Sequence, residues 1–509
     1  MRSGEQGIAA SVGGEAAVRP GLEWSPVPDA PLLAAQRDAL EDLLASAPVV
    51  GELAGRFAEA GHELALVGGP VRDALLGRPG SDWDFATSAT PEITEKLLSG
   101  WADSIWLMGQ RFGTIGGRRG GVDLEITTYR RDSYDPDTRK PDVDYGDSLE
   151  GDLSRRDFTV NAMALHVRER RFVDPYGGLA DLGRRVLRTP STPQQSFSDD
   201  PLRMLRAARF VAQLGFAPEA GVVAAMTDMA ARIRIVSAER VRDELVKLMC
   251  ADRPREGLTL LVDTGLAEQV LPEVAALRLT RDEHHRHKDV YEHSLTVLEQ
   301  AIALEHRIPG VKGPDFVVRF AALMHDIGKP RTRRFTEDGQ VTFHHHDVVG
   351  AKMTAKRMKA LRFAGDEIRA VSELVSLHLR FHGYGSGEWT DSAVRRYVRD
   401  AGPYLERLHV LTRADCTTRN ARKAARLQRT YDELERRIAE LAEQEEMAAV
   451  RPDLDGNQIM ALLGLSPGRE VGEAYRYLLE LRLDRGPMSA DEAEAELRRW
   501  WSERGLSGA

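Results

Sequence analysis

The stretch Leu66 to Thr87, LVGGPVRDALLGRPGSDWDFAT, constrains this chain more than any other. It holds an apolar run, a glycine pair, a helix-like segment and two aspartates one residue apart. Val67 lies in a strand-like run that Gly68-Gly69 breaks. Val71 to Leu76 allows a helical turn or two, closed by Gly77 to Gly80. Asp82-Trp83-Asp84-Phe85 reads as a strand, in which residues i and i+2 share a face. Asp82 and Asp84 then present two carboxylates together, with Trp83 and Phe85 packed behind. Neighbouring carboxylates repel unless a cation lies between them, and hard divalent ions such as Mg²⁺ take oxygen ligands. A nearby glycine pair lets backbone N–H groups approach phosphate closely. An isolated DxD is more often an exposed loop. Gly68, Gly69 and Arg72 just upstream favour a metal-dependent site for a phosphorylated substrate.

At 509 residues the chain exceeds what one core supports, so three or four domains are expected. With 70 basic and 79 acidic residues the net charge is −9, which excludes bulk electrostatic binding of nucleic acid and leaves local patches. Cys250 and Cys416 are the only cysteines, so a disulfide framework is excluded and a cytoplasmic location is expected. No apolar run approaches the length of a membrane span, so no membrane partner is expected. Residues 1–28 read as a disordered tail.

Residues 31–60 carry helical periodicity. Ile105 to Ile115 and Gly121 to Tyr129 read as two strands joined by a Gly/Arg turn over 116–120. Along VDLEITTYR, Val122, Leu124 and Ile126 face one side, Asp123 and Glu125 the other. Residues 130–150 are polar and read as a mobile loop. Residues 155–165 begin charged and become helical. From about 196 onward the chain reads as helical, with a hairpin-like interruption from Arg333 to Phe343 and a highly charged helix over 421–447.

Glu125 on an antiparallel neighbour completes a three-carboxylate cluster with Asp82 and Asp84; the plainer reading is the wet face of an amphipathic strand. Such a cluster holds two metals for in-line phosphoryl transfer. In RRDFTVNA, Asp157 can cap a following helix, or Arg156 can bind phosphate while Asp157 and Asn161 recognise ribose hydroxyls. In DDPLRMLRAARF, Arg203, Arg206 and Arg209 recur every three residues and form one cationic stripe, either solvated or held on a defined edge by Leu202, Leu205 and Phe210. Asp200 stands one turn before Arg203, and such a pair offers acceptors and donors that can match a base's pairing edge.

The ordered set GGPVRDALLG, DWDFATSATP, GQRFGTI, VDLEITTYR, RRDFTVNAMAL, DPYGGLADL, DDPLRMLRAARF and SAERVRDEL spans about residues 62–250. On these motifs the chain resembles the class II tRNA nucleotidyltransferases, the CCA-adding family that shares its catalytic head with bacterial poly(A) polymerases. The resemblance implies an α+β fold with a five-stranded nucleotidyltransferase head, an all-α neck and body, and helical regions beyond. It implies Mg²⁺ on Asp82 and Asp84 with Glu125 as the third carboxylate. Nucleotide contacts are implied for Gly69, Arg72, Arg156, Arg203, Arg206 and Arg209, and ribose discrimination for Asp157. Asp200 and Arg203 are implied to template CTP and then ATP. The implied activity is addition of C, C and A to the tRNA 3′ end. Poly(A) synthesis, or addition of only CC or only A, is the nearest rival. The family writes Glu-Asp where this chain has Asp199-Asp200.

A second constellation lies among the twelve histidines of residues 284–420: His293, His325-Asp326, His346, His378 and the distant Asp415. Mixed imidazole and carboxylate ligands suit a divalent transition metal. The arrangement resembles the HD phosphohydrolase domain, which implies a metal on His293, His325, Asp326 and Asp415, with His346 and His378 for a second ion. It implies phosphatase or phosphodiesterase activity on RNA ends or nucleotides; a purely structural HD fold is the other reading. His284-His285-Arg286-His287-Lys288 reads as a solvated loop. The domain expectation is a head over 29–190, a helical neck and body over 191–282, an HD domain over 283–420 and a helical C-terminal region over 421–509. The oligomeric state is left open.

Overall fold

The computed structural model describes residues 32–504 except 79, 81, 134–141, 147, 280–288, 338–340, 382–389, 419 and 446–450. The expected N-terminal tail and the His284–Lys288 run thus lie outside the described residues. The chain divides into two units, residues 1–131 with 143–183, and residues 132–142 with 184–509.

The first unit is built on a mixed sheet. Its strands in chain order are β1 (Leu64–Val67), β2 (Asp84–Thr87), β3 (Ser104–Trp106), β4 (Thr114–Arg119) and β5 (Val122–Thr128). Then follow the short β6 (Arg130–Ser133) and β7 (Asp142–Tyr145), and finally β8 (Ala164–His166) and β9 (Arg171–Val173). The main sheet has seven strands in the order β3-β4-β5-β2-β1-β8-β9, where five were expected. The two added strands come from the segment after RRDFTVN. There Phe158, Val160, Ala162, Met163 and Ala164 are fully buried. A run buried on all sides has no amphipathic period to separate helix from strand. The expected helix over 155–165 is instead a 3₁₀ turn at Thr159–Asn161 followed by β8, which pairs antiparallel with β1.

Two other expectations change. The single strand over 105–115 is two strands, β3 and β4, separated by a 3₁₀ turn at Gln110–Phe112, and Gly116 to Arg119 lie in β4 rather than in a turn. Of the mobile loop expected over 130–150, residues 134–141 and 147 lie outside the described residues; β6, β7 and the start of the helix Leu149–Ser154 fall within the same stretch. Ala65, Val67, Ala86, Tyr129, Leu153 and Ala164 form a dry cluster under the sheet. Trp83 and Phe85 stack at 6.4 Å between ring centroids and are both buried, as expected for the inner face of the DxD strand.

The second unit is helical, apart from two-stranded ribbons such as Arg334–Phe335 with Val341–Thr342. Leu202–Leu214 packs against Ala238–Met249 and Pro254–Asp263. Val290–Leu304, Phe316–Met324, Gly365–Leu377 and Leu405–Ala414 pack together, and His346–Ala360 lies on Gly365–Leu377. Ala421–Glu445 is the long charged helix. The helices Gly456–Leu463, Arg469–Arg485 and Ala490–Glu503 bury Ile459, Leu478 and Leu497 in a core of their own. Among the described residues, no helix is long and apolar enough to cross a membrane.

Candidate functional site

The head site grows from strand register. Asp84 and Glu125 are direct partners on neighbouring strands, so their side chains share a face. The pair is parallel, not antiparallel as expected, because the helix Pro91–Leu98 and the β3–β4 hairpin intervene and reverse the chain an even number of times. Leu124 and Ile126 are buried on the other face, which leaves Glu125 exposed beside Asp84. Burial first, then Glu125 and Asp82, lift the Asp84 carboxyl to about 6, against the pull of Arg156. Asp82 is exposed and lies just before β2 rather than within it, so the in-register carboxylates are Asp84 and Glu125, an all-oxygen pair suited to a hard divalent ion.

Beside Asp84, β1 runs out into Gly68-Gly69 and the helix Gly69–Leu75. Gly68 has φ +76°, and a Cβ there would sit 3.0 Å from Arg156 Nη1. Glycine is needed on both counts. Arg156 donates to Asp152 at 3.1 Å, and its buried Nε has no hydrogen-bond partner. Arg72 donates to both Asp73 oxygens and, at 2.5 Å, to Asn161. The Asn161 amide donates to Asp157 at 2.9 Å, and Asp157 also accepts from Phe158 N–H. Asp157 therefore caps no helix; it anchors a line of polar groups from Arg72 through Asn161. Asp152 is the residue sequence reasoning missed. It is buried with both Arg155 and Arg156 on it, and those arginines hold its carboxyl below the usual range against the cost of burial. Nothing but its spacing before RRD pointed to it.

In the second unit, the cationic stripe is not a solvated face. Arg203 and Arg209 are buried, and Arg203 donates to Ser196 Oγ at 2.9 Å. Arg209 binds Glu244 at 2.6 Å and lies over the Phe210 ring, while Arg206 stands 3.7 Å from Glu244. Asp200 accepts from Leu202 N–H at 3.1 Å and from Arg240 at 2.6 Å. Glu244 and Arg240 both come from SAERVRDEL, so that motif positions the stripe and the aspartate.

The histidines form a convergent cluster at helix ends. His325 and His378 follow the helices Phe316–Met324 and Gly365–Leu377, where the last carbonyls lack helical partners. His325 Nδ1 contacts Ala322 O at 2.8 Å, His378 Nδ1 contacts Val375 O at 2.7 Å, and His346 Nδ1 contacts Phe343 O at 2.8 Å. These contacts place an N–H on Nδ1 and turn Nε2 into the cluster, the orientation of metal-ligating histidines. The Nε2 atoms of His293 and His325 lie 3.3 Å apart. His293, His325 and Asp415 converge in one group, and Asp326, His346 and His378 in another. Asp326 also lies 3.2 Å from His325, so it joins the two groups. His378 Nε2 is buried with no hydrogen-bond partner. Burial, then His325, push His378 down to about 4. Burial also opposes a charge on His325, but Asp326 and Asp415 raise it to about 9. Lys329, 2.9 Å from Asp326, and Thr417, 3.2 Å from His293 Nδ1, are further members that sequence reasoning did not single out.

Comparison with known proteins places this geometry. Residues 64–188 match the poly A polymerase head domain, residues 215–277 the probable RNA and SrmB-binding site of polymerase A, and residues 290–420 the HD domain. An A-adding tRNA nucleotidyltransferase of Deinococcus radiodurans is 37% identical over 448 residues, covering 86% of this chain and 96% of that protein. The chain belongs to the tRNA nucleotidyltransferase family. It is a transferase, and enzymes of this family use a divalent metal. A CCA-adding enzyme of Levilactobacillus brevis is 42% identical over 209 residues, 41% of this chain and 51% of that protein. The Bacillus stearothermophilus CCA-adding enzyme, solved with CTP, shares the fold with a TM-score of 0.60 at 23% identity, covering 90% of this chain and 98% of that one.

Proposed function

We propose that this tRNA nucleotidyltransferase adds C, C and A to the 3′ end of tRNA from CTP and ATP. The observation that carries the reading is the in-register pair Asp84–Glu125 beside Gly68-Gly69. Asp82, Asp84 and Glu125 would hold Mg²⁺, which would supply acidity to the attacking 3′-hydroxyl and positive charge against the triphosphate. The backbone at Gly68-Gly69 lies against the phosphates. Arg156, with its unpartnered Nε, and Arg72 neutralise phosphate charge. Asp157 and Asn161 accept from and donate to ribose hydroxyls, which excludes deoxyribonucleotides. Asp200 and Arg203 read the pairing edge of the base, and Arg206 and Arg209 keep that edge in place through Glu244. A wrong base leaves their polar groups unpaired, and that penalty supplies the discrimination. The division into head 29–190, neck and body 191–282, HD domain 283–420 and C-terminal region 421–509 belongs to this proposal, as do the tRNA partner and a cytoplasmic location.

Addition of A alone is the second reading, favoured by the A-adding relative matched over nearly its whole length. Two acceptors separate the readings. Full CCA addition places label from CTP and then ATP on tRNA lacking all three nucleotides. A-only addition labels tRNA ending in CC and leaves the shorter acceptor untouched.

The HD site is proposed to hold a divalent transition metal on His293, His325, Asp326 and Asp415, and a second on His346 and His378 with Asp326 shared. Its locked Nδ1 contacts and convergent Nε2 atoms support that reading. The activity it supports is hydrolysis of phosphoesters on RNA ends or nucleotides. Opening of a 2′,3′-cyclic phosphate RNA end to a phosphomonoester, or release of phosphate from a 3′-phosphate end, lost in Asp326→Asn, tests it; a metal-loaded enzyme with neither activity contradicts it.

A further inference from the structure

The geometry points to Trp106 as the platform on which the 3′-terminal base of the acceptor RNA stacks. This inference rests on the transfer reaction proposed above.

Four residues form one row across the sheet. Asp84 is partnered by Glu125, Glu125 by Gly116, and Gly116 by Trp106. Cross-strand partners present their side chains on one face. The Trp106 ring therefore lies on the same face as the two carboxylates. The Trp106 indole occupies the space where a Cβ on Gly116 would stand, so the ring lies down against β4 toward Glu125. Trp106 is half-buried, so part of its surface remains exposed.

Direction along this row has a chemical meaning. Gly68-Gly69 and Arg156 lie at the β1 side of Asp84. They are the groups suited to the triphosphate, and hence to the pyrophosphate that leaves. In an in-line displacement, the attacking oxygen enters opposite the leaving oxygen. The acceptor hydroxyl then comes from the β4 and β3 side, past Glu125. The aromatic side chain of the row on that side is Trp106. The attack forms a bond from the acceptor 3′-oxygen to the α-phosphorus and breaks the bond to the β-phosphate-bearing oxygen. The hydroxyl proton is lost to solvent and pyrophosphate departs. Throughout, the ribose that carries the hydroxyl needs its base held, and an aromatic face does so for any base, because every base offers a π-face. A platform that ignores base identity suits an acceptor whose last nucleotide changes with each addition.

The plainer reading is that the indole, on the edge strand β3, merely covers a glycine of the neighbouring strand β4. That role predicts loss of stability without a change in substrate preference. The two separate by kinetics on the full chain. Trp106→Ala should raise the KM for acceptor tRNA about tenfold, in keeping with one lost stacking contact, and leave the KM for CTP and ATP unchanged. Trp106→Phe should restore most of the loss. An acceptor whose last nucleotide keeps its ribose but lacks its base should lose about the same factor with wild type and nothing further with Trp106→Ala. If the alanine variant does not fold, Trp106→Leu, which keeps the apolar cover on Gly116, takes its place. Multiplying effects of variant and abasic acceptor, or a loss confined to the KM for nucleotide, would overturn the inference. Wild-type transfer to the intact acceptor is the control: its absence contradicts the transfer reading rather than the role of Trp106.

Discussion

Asp84 carries a charge that its surroundings oppose. Its carboxyl is raised to about 6 by burial and by Glu125, so the folded state holds a proton that the unfolded chain has released at the same pH. Without divalent ions, its unfavourable contribution is absent below about pH 4. It grows as pH rises through the folded pKa and is complete above it. Asp84→Asn should therefore stabilise the metal-free enzyme by about 3 kcal/mol at pH 7.5 and by almost nothing near pH 3. Thermal melts at the two pH values check this, and equal gain at both would contradict it. Added Mg²⁺ should raise the wild-type Tm and leave the variant's unmoved. The same residue-scale logic applies to Gly68. Gly68→Ala forces a side chain into left-handed backbone and against Arg156. Its cost in stability should be about 1–2 kcal/mol, while kcat/KM for nucleotide falls tenfold or more. At this scale the sequence was most legible. The structure brings Glu125 beside Asp84, and His293, His325, Asp326, His346, His378 and Asp415 into two converging groups, as the sequence expectation has them. Asp152, Glu244 and Lys329 were not legible, because they act through long-range or i+3 and i+4 partners that a single sequence does not mark.

Elements were legible where one face is wet. β5 alternates cleanly, and the helices Ala34–Ser46, Pro48–Glu59 and Ala421–Glu445 stand where periodicity puts them. β8 was misread as helix because its neighbourhood is buried throughout, and the direction of β5 depends on a crossover that no local pattern encodes. Phe85, stacked on Trp83 under the carboxylate row, is the element-scale test of how the site is held. Phe85→Ala should cost about 3–5 kcal/mol, and urea unfolding reads it. In the proposed HD metal site, five helix ends and turns would supply the ligands, so metal binding would be coupled to folding. Asp326→Asn should lose bound metal by elemental analysis and lower the Tm of metal-loaded protein by several degrees. Unchanged metal content would contradict the shared-ligand arrangement.

On the scale of the whole molecule, the two candidate sites belong to separate units: the Asp84–Glu125 pair on the sheet of the first, and the histidine–aspartate groups at helix ends of the second. Asp84→Ala should abolish nucleotide transfer and leave phosphoester hydrolysis by the HD site intact, with Asp326→Asn the reverse. The acidic chain as a whole gives no hint of RNA binding; the ordered motifs do. The most direct test is to incubate the enzyme with tRNA lacking its three terminal nucleotides, CTP and ATP, and to sequence the product ends. The account predicts ends that read CCA and stop there. Unlimited A tails, or no extension of that acceptor, would contradict it.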